Sequence, residues 1–91
     1  MPEKNWHVEL SRSSLKALER LGKTPSSRIL DRLEKLAEAE NPLRYKDVRP
    51  LEGKLKGFYR LRVGGYRIIF ELDSDNRRIG LLAIVPRGKG Y

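Results

Sequence analysis

A chain of 91 residues has room for one domain with a small core, and 38% apolar content suffices for a two-layer fold. With no cysteine and a single histidine, His7, it cannot form disulfides, thiolate metal sites or a multi-histidine metal centre, so no cofactor or metal is expected. Twenty Lys and Arg against twelve Asp and Glu give a net charge of +8, which calls for an anionic partner: nucleic acid first, an acidic protein second.

No run approaches the roughly 20 apolar residues of a membrane span, and Met1-Pro2-Glu3-Lys4-Asn5 lacks an apolar signal core. A cytoplasmic protein with no membrane partner is expected. The first strand is predicted where Trp6, Val8 and Leu10 alternate with His7 and Glu9. Trp6 reads as core rather than as a base-stacking platform, and His7 as an exposed strand residue. Ser11 or Ser13 can cap a helix that runs to Leu21 and stops at Gly22, with Leu15, Leu18 and Leu21 on one face. Thr24-Pro25 opens a second helix, in which Ile29, Leu30, Leu33, Leu36 and Ala37 recur at helical spacing and Asp31 pairs with Lys35. Asn41-Pro42 ends it. So short a link predicts a helix hairpin.

Residues 43–56 have no clear period and read as a connection with a short strand near Val48. Tyr59, Leu61 and Val63 then alternate with Arg60 and Arg62. Gly64-Gly65 is a two-residue hairpin turn, and Tyr66, Ile68, Phe70 and Leu72 form the next strand. Asp75-Asn76 turns the chain into a last strand, Ile79 to Val85, which Pro86 ends. The fold class is therefore α+β, in the order β-α-α-β-β-β with one further short strand. It is a single domain over residues 1–91, its N-terminal helix hairpin packed on one face of an antiparallel sheet.

Positive charge is concentrated between Arg44 and Arg67, where eight Lys or Arg face only Asp47 and Glu52. The Gly64-Gly65 turn fixes the hairpin register. Val63 is predicted opposite Tyr66, Leu61 opposite Ile68 and Tyr59 opposite Phe70, which makes the core side. On the other side Arg62 faces Arg67, with Arg60 on the diagonal. Like charges directly opposite cost about 0.2–1 kcal/mol per pair, and a phosphate held between two guanidinium groups reverses that sign. The alternative is that both arginines splay into solvent. Lys54 and Lys56 before the hairpin, and Arg87, Lys89 and Tyr91 after the last strand, extend the basic patch. Strict alternation from the Asp75-Asn76 turn places Arg87 on the face opposite Arg67. A basic tail without a site is the other reading of residues 86–90.

The order of parts resembles the RelE/ParE toxin superfamily over nearly the whole chain, and most closely its archaeal RelE-like members. The resemblance is sharpest in Leu51-Glu52-Gly53, in the segment from Phe58 to Phe70 that carries Tyr59-Arg60, Arg62, Gly64 and Tyr66-Arg67, and in the closing Val85 to Tyr91. It implies the toxin of a type II toxin–antitoxin system: a ribosome-dependent, metal-independent endoribonuclease. Such a toxin binds the decoding site, where the 2′-hydroxyl of the mRNA attacks the adjacent phosphate. The resemblance also implies an acidic, RelB-like antitoxin as partner, in a heterodimer or heterotetramer. By position Arg60 and Arg62 fall where bacterial RelE toxins carry two functional lysines. Arg67 matches the arginine of the Tyr-Arg motif, Arg87 the arginine after the last strand and Tyr91 the terminal tyrosine.

Catalytic roles are accordingly expected for Arg62, Arg67, Arg87 and Tyr91, and phosphate or RNA binding for Lys54, Lys56, Arg60 and Lys89. The sequence departs from the bacterial pattern in one chemically important way. Arginine does not release its proton, so Arg60 and Arg62 are expected to clamp phosphate and stabilise developing charge rather than act as bases. Tyr91 could act as acid or base, although its own terminal carboxylate disfavours the tyrosinate. Two other functions share the pattern: a ParE-like toxin that poisons DNA gyrase, and a catalytically silent RNA- or ribosome-binding module.

Overall fold

The computed structural model describes residues 5–86. Strand β1 (His7–Leu10) leaves His7 and Glu9 exposed and half-buries Val8 and Leu10. Of the two candidate caps for α1 (Arg12–Leu21), Ser11 serves: its Oγ accepts the Ser14 amide at 3.1 Å. Gly22, at φ +88°, is the single-residue link to α2 (Lys23–Glu38), and that left-handed value is why a glycine stands there. Pro25 falls in the first turn of α2, as predicted, and Lys35 pairs with Asp31 at 3.3 Å.

The buried faces of the helices are rotated from the expected ones. In α1 Ser14 and Leu18 point into the molecule, whereas Leu15 is 49% exposed. In α2 Ile29, Leu33, Leu36 and Ala37 are buried and Leu30 is 46% exposed. Each exposed leucine sits one position, about 100° of helix rotation, from a buried neighbour. Ser14 tolerates full burial because its hydroxyl is hydrogen-bonded to Ser11 Oγ at 2.9 Å.

A 3-10 turn at Pro42–Arg44 leads to β2 (Val48–Pro50), a second at Gly53–Leu55 to β3 (Tyr59–Val63), and then come β4 (Tyr66–Asp73) and β5 (Arg78–Pro86). The sheet order is β1-β5-β4-β3-β2. Strands β2 to β5 pair antiparallel, but β1 lies parallel to β5, with Val8 opposite Ile79 and Leu10 opposite Leu81. The sheet is therefore mixed, which corrects the purely antiparallel expectation. The helix pair and the meander together form the long crossover that a parallel pairing requires. Phe70, Ile68, Leu61, Ile79 and Leu81 meet Ile29, Leu33 and Leu36 in the core, and Trp6 joins them, 5% exposed. The Arg77 guanidinium covers the Trp6 ring at 4.5 Å.

One irregularity matters for the site. Ile69 pairs with Ala83 but Phe70 pairs with Leu81, so Leu82 is an extra residue in β5. The carbonyl of this bulged residue accepts from the hydroxyls of both Ser11 and Ser13, each at 3.1 Å. Beyond the bulge the alternation of β5 is reversed, and Val85 shares a face with Arg67.

Candidate nucleic-acid interface

Strands β3 and β4 form the hairpin that the sequence predicts. Gly64 takes φ +56° at the turn, and Arg62 pairs with Arg67, Leu61 with Ile68 and Tyr59 with Phe70. The helices cover the leucine and phenylalanine side, so the arginines stand on the side of the sheet away from the helices, Arg62 exposed and Arg60 and Arg67 half-buried. Arg60, opposite Ile69, lies diagonal to Arg67 as expected.

Strand β2 adds an arginine that the sequence reasoning did not find. Arg49 pairs directly with Arg60, as Val48 does with Leu61. Its only signal was the alternation Val48-Arg49 in a segment too short to fix a register. Two like-charged pairs, Arg49 with Arg60 and Arg62 with Arg67, are thus stacked on one face. Ile69, Ala83 and Val85 form an apolar floor beside them, Ile69 and Val85 being 3% and 9% exposed.

Two of these guanidinium groups are tethered to backbone oxygen. Arg49 Nη1 donates to the Val48 carbonyl at 3.1 Å, and Arg60 Nη1 to the Asp47 carbonyl at 3.2 Å. Asp47 itself is turned toward the helices, where its carboxylate accepts from Arg32 at 2.9 Å. That bond holds the Asp47 carboxyl below the usual carboxylate range. The paired rows Arg62–Arg67–Val85 and Arg49–Arg60–Ile69–Ala83 contain no carboxylate, imidazole or lysine. Such a surface can bind and orient a polyanion and stabilise charge on it, but its arginines cannot take up a proton.

The other sequence candidates divide into two groups. Lys54 and Lys56 are exposed, in and just after the 3-10 turn between β2 and β3, rather than on the strands of the arginine face. Arg87, Lys89 and Tyr91 lie outside the described residues. The Leu82 bulge breaks the strict alternation of β5, so that Val85 lies on the side of Arg67. Among the described residues no group of carboxylates and histidines could hold a metal ion, and no helix is long and apolar enough to cross a membrane.

A second surface feature is an open groove of about 700 Å³ between β1 and α2, floored by Trp6, Val8, Leu10, Leu30 and Leu33 with Asp31 and Glu34 at its rim. Strand β1 is a sheet edge, so this groove combines apolar surface with an open strand border.

A family profile described as the ParE toxin of type II toxin–antitoxin systems, parDE, matches residues 8–91. The chain belongs to this toxin family. Among solved structures it is similar to the archaeal RelE–RelB complex of Pyrococcus horikoshii. There the identity is 33%, the match covers 94% of this chain and 99% of the other, and the TM-score is 0.77. The toxin–antitoxin complex RelBE2 of Mycobacterium tuberculosis is 21% identical, over 91% and 99% of the two chains, with a TM-score of 0.66. Isolated RelE of E. coli is 16% identical, over 93% and 87%, with a TM-score of 0.72. The last two speak for the fold alone. No curated protein matches the chain. The α+β architecture of this toxin is thus that of RelE-like proteins, with its arginine-bearing hairpin on the open face of the sheet.

Proposed function

We propose that this toxin is a ribosome-dependent endoribonuclease that cleaves mRNA without a metal. The observation that carries the reading is the pair of like-charged cross-strand contacts, Arg49 with Arg60 and Arg62 with Arg67, on an open sheet face. Each contact is unfavourable for folding and becomes favourable once a phosphate lies between the guanidinium groups.

In the reaction the 2′-oxygen of one nucleotide bonds to the adjacent phosphorus and the bond to the 5′-oxygen of the next nucleotide breaks. Negative charge builds on the phosphoryl oxygens as this happens. Arg62 and Arg67 hold those oxygens, and Arg60 and Arg49 hold a neighbouring phosphate. Arg87 adds charge to the scissile phosphate, Lys54, Lys56 and Lys89 draw in the flanking chain, and Tyr91 supplies a hydroxyl for proton transfer. The arginines contribute by orientation and electrostatics, and the ribosome presents the mRNA in reactive geometry.

The toxin acts as a single cytoplasmic domain held in check by an acidic, RelB-like antitoxin in a heterodimer or heterotetramer. The groove between β1 and α2 suits an apolar segment of that chain, and a net charge of +8 speeds its approach. The decisive experiment adds the purified toxin to ribosomes programmed with a defined mRNA. Cleavage is expected on the ribosome and not of free mRNA. The family description favours a second reading, a toxin directed at DNA gyrase. Inhibited supercoiling with intact mRNA would establish that reading instead, and neither effect would leave a silent binding module.

A further inference from the structure

Asp47 lies just before β2 and is one of two described non-glycine residues with positive φ, at +68°. In that conformation its carbonyl turns to β3 and accepts two donors, the Arg62 amide at 3.1 Å and Arg60 Nη1 at 3.2 Å. Its carboxylate turns the other way and binds Arg32 Nη2 at 2.9 Å. The Arg32 guanidinium, on α2, is itself held over the Tyr45 ring at 5.7 Å. One residue therefore ties the helical layer to an arginine on the opposite side of the sheet. Sheet pairing needs only the Arg62 amide contact. The additional bond to the Arg60 side chain restricts the rotamers of its guanidinium.

We propose that Asp47, braced by Arg32, is a positioning residue that presets the Arg60 guanidinium for its phosphate. The proposal rests on the reading of the arginine face as an RNA-phosphate site. Ordering Arg60 before RNA arrives spares the complex that entropy cost and fixes the spacing between the clamps of Arg60 and Arg62. The carboxylate acts at a distance: it touches no substrate and sets the orientation of the peptide group whose oxygen holds Arg60.

Asp47→Gly tests this, because glycine accepts the left-handed backbone without strain and removes the carboxylate. Cleavage on programmed ribosomes should fall about tenfold in Asp47→Gly. Asp47→Asn keeps an oxygen for Arg32 and should lose less than about threefold. In an Arg60→Ala background, Asp47→Gly should change the rate by less than about twofold, since Asp47 works through Arg60. Independent, multiplicative losses would mean that Asp47 merely supports the fold, and would overturn the proposal.

A second measurement needs no RNA. The Arg60 Nε–H signal in 15N relaxation of the free toxin should report a rigid side chain in the wild type and a mobile one in Asp47→Gly. Equal rigidity in both overturns the brace. A mobile Arg60 in Asp47→Gly, together with a wild type that leaves ribosomal mRNA intact, upholds the brace and overturns the endoribonuclease reading.

Discussion

Arg78 and Arg62 stand on the same face of the same sheet, in opposite surroundings. Arg78 is enclosed by three carboxylates from two neighbouring strands: Glu71 at 2.9 Å and Asp73 at 3.6 Å on β4, and Glu9 at 3.2 Å on β1. Gly80 makes room for it, since a Cβ there would sit 2.7 Å from Arg78 Nη1 and 3.2 Å from Glu71 Cγ. Arg62 is exposed, faces Arg67, and has no carboxylate within ion-pairing distance among the described residues. The end of the sheet near His7 and Asp73 thus surrounds its arginine with carboxylates, and near the Gly64 turn Arg62 has none within that distance among the described residues. Net charge alone cannot draw this distinction. What distinguishes the two arginines is whether the fold supplies a carboxylate beside the guanidinium.

The comparison breaks most visibly in activity. The double substitution Arg62→Ala, Arg67→Ala should lower ribosomal mRNA cleavage by about a hundredfold or more, the loss typical of removing donors to a developing oxyanion. The unfolding midpoint should change little, because Arg62 is exposed and its cross-strand pair is like-charged. Arg78→Ala should do the reverse, lowering the midpoint and leaving cleavage per folded molecule unchanged. Binding of a single-stranded RNA sharpens the contrast. Each phosphate-contacting arginine lost should reduce the slope of log K against log salt by about 0.7, and Arg78 should contribute nothing to it. Full activity in the double variant would sink the clamp.

Next in size is the closing segment. Arg87→Ala should cost at least as much activity as either hairpin arginine alone, about tenfold to a hundredfold if it contacts the scissile phosphate. Removing residues 87–91 should abolish cleavage while circular dichroism stays that of a folded toxin. Unchanged cleavage after the truncation would reduce the segment to a basic tail.

The Leu82 bulge can be tested separately from chemistry. Ser11 and Ser13 both donate to its carbonyl, and Ser11 also caps α1. Replacing both with alanine should cost about 1–2 kcal/mol, the usual range for losing a helix cap, with the carbonyl turning to water. Gly80→Ala should cost less, about 1 kcal/mol, because the atoms it displaces are ends of flexible side chains that can move at the expense of an ion pair. Equal unfolding midpoints in wild type and either variant would remove these features from the stability of the sheet.

Much of this organisation was legible in the sequence, for stated reasons. The Gly64-Gly65 turn admits one register, and with it followed the Arg62–Arg67 pair and the core positions Leu61, Ile68 and Phe70. Arg49 was missed because β2 is only three residues long and its pairing is decided by the loop before it. The break in the alternation of β5 has one cause, the bulge at Leu82. A run such as Leu81-Leu82-Ala83-Ile84-Val85 is apolar throughout and gives no sign of the residue at which alternation slips. The parallel pairing of β1 with β5 was equally hidden, since alternation within a strand says nothing of its neighbour's direction. The rotated helix faces show a further limit: leucine at a near-miss position outweighs serine in any hydrophobic count, yet Ser14 is buried by its bond to Ser11.

The smallest expected effect compares the two halves through acid. Asp73, beside Arg78, has its carboxyl lowered chiefly by the Asn76 side-chain and backbone hydrogen bonds and then by Arg78. Asp47, behind the arginine face, is lowered chiefly by Arg32. A carboxylate with a depressed folded-state value contributes stability that is complete above its unfolded value and is lost as pH falls through the folded one. Thermal stability should therefore be flat with respect to these two groups from about pH 5 to 8 and decline below about pH 4. Asp47 is solvent-exposed and Asp73 is half-buried with solvent access, so the slope should be shallow. Asp73→Asn and Asp47→Asn should each flatten the decline, and together they should flatten it additively, because the two sites lie in separate ion-pair groups. Wild type and both variants declining with one slope below pH 4 would show that neither carboxylate binds its proton differently in the folded and unfolded chains. The ion pairs at both ends of the sheet would then be geometric contacts without energetic weight.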